Sequence, residues 1–134
     1  MALKYSVAVR NARLDAVEST IGTGALLQLW TGSAPANCAA ADSGTKLIEI
    51  TLPTDWMNAA SGGTKTKLGT WSGTAIAAGD AGYFRVKDST GTTTGMQGTV
   101  TATGGGGDLT LDNITLAISQ VLTESSFTLT AGNA

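Results

Sequence analysis

The chain has no histidine, a single cysteine, and few charges: 8 Lys and Arg against 10 Asp and Glu in 134 residues, 13% in all. The missing histidine removes the commonest general base. It also removes the Ser-His and Cys-His nucleophile pairs and nearly all zinc sites that hold a catalytic water. Cys38 alone excludes an intramolecular disulfide, and the residues around it (36–40, ANCAA) supply no second metal-binding group. Nothing in the sequence therefore demands an oxidising compartment. A net charge of -2 with scattered bases gives no footprint for nucleic acid, which requires clustered Lys and Arg to release counterions from phosphate. No apolar run approaches the roughly 20 residues of a membrane span, and the first residues lack the charged start and apolar stretch of a signal peptide. The expectation is a chain with no nucleic-acid or membrane partner, no metal and no cofactor.

Aromatic residues are also scarce, at 5%. The core should be thin, built of Leu, Ile and Val around Trp30, Trp56, Trp71, Tyr83, Phe84 and Phe127. Association with copies of itself or with a larger partner would add stability to such a core. The low charge leaves a surface of Thr, Ser, Asn and Gly and weakens repulsion between copies. Among the bases, Lys65/Lys67 and Arg85/Lys87 read as same-face neighbours on solvated strand faces.

What the chain does contain falls into two parts: residues 1–22 as an N-terminal helix or arm, and 23–134 as one β-domain. Leu3, Val7, Arg10, Leu14, Val17 and Ile21 recur at alternating steps of four and three, one stripe of a helix expected over about 6–20, with Gly22 as its stop. Asn11, Arg13, Asp15, Glu18 and Ser19 occupy the other side. The stripe either packs on the sheet or forms a narrow seam for another subunit, in which case Arg10 needs a carboxylate partner. These six residues are the candidate interface.

From Ala25 onward the period is two. Strands are expected over 25–30 and 47–52, joined by a long loop at 31–45 with no core-forming pattern. Pro53 ends the second strand, and 54–60 suits a helical turn capped by Thr54. A strand at 65–72 precedes a hairpin of 82–88 with 93–101. Phe84 and Val86 face one side of it, and Tyr83, Arg85 and Lys87 the other. Residues 104–107, four glycines, turn into a last apolar stretch whose parity breaks at Asp112-Asn113. The reading is mainly β, an antiparallel β-sandwich or open barrel of seven or eight strands with one N-terminal helix.

Chemistry is sparse. A glycosidase-like carboxylate pair would have to come from ten acids that sit mostly in or beside turns, where Asp bonds its own backbone. Asp108, Asp112 and Asn113 lack the alternating oxygen ligands of a calcium loop. The glycine run has no following Lys-Ser/Thr to make a phosphate cradle. Trp30, Trp56 and Trp71 would form a sugar-stacking platform only if exposed together; burial is the alternative. No catalytic, cofactor or metal residue is assigned.

Six blocks carry a resemblance: 9–16 (VRNARLDA), 31–42 (TGSAPANCAAAD), 52–56 (LPTDW), 82–86 (GYFRV), 98–108 (GTVTATGGGGD) and 127–130 (FTLT). With these the chain resembles a group of short β-rich structural proteins of tailed bacteriophages and prophages, along nearly its whole length. The resemblance implies a virion protein and not an enzyme. The leading expectation within that class is a capsid decoration or cement protein on the head exterior, bound to the major capsid protein or another virion protein, because a compact, weakly charged, Thr-rich β-domain can pack against copies without repulsion; lacking a signal peptide, it is expected to be made in the host cytoplasm. Self-association is expected as well, with a trimer as the expected form, since weak contacts suffice when many copies share the load. A tail, neck or fibre component is the alternative within the virion. A carbohydrate-binding module at the host surface is the alternative outside it, and a glycan-degrading enzyme the remotest.

Overall fold

Ser6 opens the helix. Its hydroxyl accepts the Val9 N–H at 3.3 Å, capping α1 (Val7–Ile21), and Gly22, at a φ of 97°, ends it with its N–H on the Glu18 carbonyl. The structure is a computed structural model describing residues 3–134, so the first two residues of the expected 1–22 segment lie outside the described residues.

Ten strands follow among the described residues, more than the seven or eight expected because several are only two to four residues long. They are β1 (Leu26–Thr31), β2 (Lys46–Thr51), β3 (Thr64–Thr66), β4 (Trp71–Thr74), β5 (Gly79–Lys87), β6 (Thr94–Ala102), β7 (Leu109–Leu111), β8 (Thr115–Leu116), β9 (Val121–Glu124) and β10 (Thr128–Thr130). The main sheet runs β2-β1-β5-β6-β7, with β8 on the start of β5, and the pairs β10-β3 and β4-β9 complete the body. The fold is mainly β with one N-terminal helix, a curled sheet of the sandwich or open-barrel kind.

Three local expectations are corrected. The stretch 65–72 is not one strand: it breaks at 67–70 and sends β3 to β10 and β4 to β9. Residues 54–60 make no helical turn: the N–H groups of Trp56, Met57 and Ala60 go to side chains of α1, and that of Asn58 goes to the Thr66 carbonyl. And one pairing is parallel, β6 with β7, in register Val100 to Leu109 through Ala102 to Leu111. Parallel neighbours normally need a crossover of a dozen residues. Here the glycine run doubles the chain back within six, with Gly104 and Gly106 at φ 87° and 81° and the Gly107 N–H held by the Thr101 hydroxyl at 2.9 Å.

The core lies inside the curl. Leu27 and Leu29 of β1, Ile48 and Ile50 of β2, Phe84 and Val86 of β5 and Val100 of β6 point into it. Trp56, Trp71 and Phe127 close the far side; Phe127 meets Phe84 edge-on at 5.7 Å and Trp71 at 5.7 Å. Gly73 lets β4 lie against β2, where a Cβ would come within 2.9 Å of Ile50.

Candidate functional site

The six stripe residues do not share one environment. Leu14 and Ile21 are buried and Val17 packs against the core, so the C-terminal half of α1 belongs to the body. Ile21 sits on Gly95 of β6, where any Cβ would collide with it. Leu3 and Val7, at the other end, are 49% and 51% exposed, beside Tyr5 and Val9. Arg10 sits between the halves and needs no carboxylate: its Nε donates to the Ala131 carbonyl at 3.0 Å.

The side of α1 expected to face solvent is its second anchor. Asn11, Asp15 and Glu18, spaced four and three apart, accept backbone N–H groups from the 54–63 segment. Asn11 takes Gly63 at 2.9 Å, Asp15 takes Ala60 at 2.8 Å, and Glu18 takes Trp56 and Met57 at 3.0 and 2.7 Å. Lys65, 2% exposed, joins them through Asp15 at 2.8 Å and Glu18 at 3.2 Å. Burial alone would lower the Lys65 pKa, but bonds from both carboxylates outweigh it and hold it above its ordinary value. The Lys65 hydrogen bond and the Ala60 N–H keep Asp15 below the usual range.

A second polar cluster lies on the outer sheet face. Arg85, 1% exposed, donates to the carbonyls of Asn37 and Ala40, to Gln97, and to Asp42 at 2.8 Å, while Lys87 reaches Asp42 at 2.6 Å. Burial pushes the Asp42 carboxyl up, but the Lys87 and Arg85 bonds overcome it and hold it low. Tyr83 ties down the same loop through Ser43. The 31–45 loop is therefore a cover over β5, and Lys65, Arg85 and Lys87 are buried structural cations, where solvated faces were expected. Strand alternation tells which side a residue faces; it does not reveal that a distant loop covers that side.

The third cluster is on β9. Glu124 is 3% exposed, its Oε1 accepts the Ser126 N–H at 3.4 Å, and its Oε2 is a buried side-chain oxygen with no hydrogen-bond partner among the described residues. Burial pushes its pKa up to about 7; nearby N–H groups and Lys67 oppose the rise, and Asp112 adds to it. Glu124 and Asp112 line one cavity of about 400 Å³ between β7 and β9, with Thr110 and Ser125.

The other sequence candidates resolve simply. Trp56 and Trp71 are buried, at 0% and 1% exposure, and Trp30 stacks on Tyr83 at 6.2 Å, so the three form no exposed platform. Asp108 is committed to the Thr99 N–H and hydroxyl. Among the described residues, no three carboxylate, cysteine or histidine side chains converge as a metal ion would require. No helix of the described residues is long and apolar enough to cross a membrane. Comparison with protein-family models, with curated proteins and with solved structures gave no match in any of the three.

Proposed function

We propose that the chain is a structural protein of bacteriophage virions, of the type that decorates or cements the head exterior by binding the major capsid protein or a neighbouring shell protein. Copies associate with one another, as trimers at local threefold positions. The observation that carries this reading is the position of exposed apolar side chains at the entry to α1. Leu3 and Tyr5 just before the helix and Val7 and Val9 in its first turn are 49%, 36%, 51% and 44% exposed, while Leu14 and Ile21 are buried farther along it. A helix end held rigidly and left apolar suits docking, because little freedom remains to be lost on binding.

Charge supports the same reading. Lys65, Arg85 and Lys87 spend their charge inside the molecule, which leaves a surface of low charge that can approach identical neighbours without strong repulsion. The likeness of the sequence to phage structural proteins supplies the setting. Weak contacts suffice there, since many copies on one shell share the load. A tail, neck or fibre position would use the same surface at lower copy number. The carbohydrate-binding alternative lacks an exposed tryptophan platform, since Trp56 and Trp71 are buried in the core.

The test is attachment. Particles lacking the chain, mixed with the purified protein, are expected to bind it and carry it down on sedimentation. Val7→Asp combined with Val9→Asp, both at exposed positions, should weaken attachment about tenfold or more, the scale of losing one or two apolar contacts. Undiminished attachment by a folded double variant discards the helix end as the docking surface.

A further inference from the structure

Strand β7 pairs only with β6, and strand β9 only with β4, so each has one open edge among the described residues. Both edges border the cavity of about 400 Å³ that holds Glu124, with residues 110–113 along one wall and 120–126 along the other. We propose that this seam is a docking groove for an extended segment of a partner polypeptide, which adds as a strand between β7 and β9 and sets a lysine or arginine against Glu124 and Asp112.

The backbone identifies the occupant. An open edge displays unpaired N–H and C=O groups, and proteins usually blunt such edges with Lys, Pro or a bulge. From residue 88 to the end this chain has no Lys, Arg or Pro, so these edges are protected only by the shortness of β7 and β9, three and four residues, and by the buried Glu124. A ligand that satisfies both edges at once must repeat N–H and C=O along its own length, and an extended polypeptide does so. Topology agrees. The main sheet runs from β7 round to β2, Gly73 seats β4 against β2, and β9 follows β4. One more strand between β9 and β7 would complete the circuit.

The side chains specify the segment further. Both ionisable groups in the cavity walls are acidic, and the Glu124 Oε2 lacks any donor. The base near it, Lys67, already donates to the Gly69 carbonyl at 2.6 Å and lies over the Trp71 ring at 5.6 Å. A cation from the partner therefore meets an acceptor that this chain leaves open. Val121, 67% exposed in the same wall, favours an apolar neighbour in the strand. The inference deepens the virion reading by naming a kind of contact, and rests on it only for whose segment is bound.

The isolated full chain tests it. The probe is a labelled hexapeptide alternating valine and threonine about one central lysine, followed by binding, amide hydrogen exchange and backbone NMR shifts. Saturable binding is expected, with protection confined to 109–113 and 120–126. It should vanish when the peptide backbone is N-methylated and weaken about tenfold when its lysine becomes glutamate or when Glu124→Gln replaces the acceptor. No saturable binding at millimolar peptide, binding that survives N-methylation, or shifts outside these residues would overturn the proposal. None of those results bears on whether the chain occurs in particles, so the two readings fail separately.

Discussion

Glu124 sits where a hydrophobic residue would ordinarily be placed, paired across the strands with Trp71. Its pKa rises from an ordinary 4.5 to about 7, first through burial and further through Asp112, against the opposing pull of Lys67 and two serine N–H groups. The folded state thus holds this proton more tightly than the unfolded chain. The stability linked to Glu124 is fully present below about pH 4.5, and it falls as pH rises through 7. The span corresponds to about 3 kcal/mol as an upper figure. Urea unfolding at pH 5 and pH 8 should show that loss in the wild type and a flatter profile in Glu124→Gln; an identical slope in both would contradict it. At this scale the sequence was least informative. Lys65, Arg85 and Lys87 alternate as residues of a solvated face would, and only long-range neighbours such as Asp15, 50 residues from Lys65, and Asp42 make them structural. One local signal was available. Asn11, Asp15 and Glu18 share a helical face, and three acceptors so aligned suit a line of backbone donors as well as they suit water.

The helix shows how an element can be legible in outline and misread in its attachment. Its bounds follow from the Ser6 cap and the Gly22 stop, within a residue of the expected span. Its docking does not follow from the apolar stripe alone, because the stripe is buried only from Leu14 onward and the polar face supplies the rest. Removing residues 1–21 would strip the buried side chains of Leu14 and Ile21, four acceptor contacts from the 54–63 segment, and both carboxylates from Lys65. Leaving a buried charge unpaired typically costs about 3–5 kcal/mol, and each large apolar deletion about 2–5 kcal/mol. The truncated chain is therefore expected to lose cooperative unfolding in a thermal melt and dispersed NMR resonances; a sharp native-like transition would show that the β body stands alone. The hairpin of β5 and β6 was legible because alternation and a short polar turn act locally. The parallel β6–β7 pair was not, since the glycine run signals a turn without giving the direction in which the chain leaves it.

Taken whole, the molecule spends its charge inward and its apolar excess outward. Two buried cation clusters fix α1 and the 31–45 loop to the sheet, and exposed valines and isoleucines remain at the start of α1 and beside the β9 edge, where Ile118 and Val121 are 64% and 67% exposed. That distribution suits a rigid part that adheres to neighbours, and the open seam beside Glu124 suits an incoming strand. The fold class was readable because period-two patterning extends over most of the chain. The surfaces were not, because exposure depends on which distant loop covers which face. The most direct measurement of the proposed virion role is a count of this chain, by quantitative mass spectrometry against the major capsid protein, in mature phage particles purified from a host that expresses it. The account predicts a number on the order of hundreds per particle, as a repeated contact across a symmetric shell requires. Absence of the chain from mature particles would contradict it.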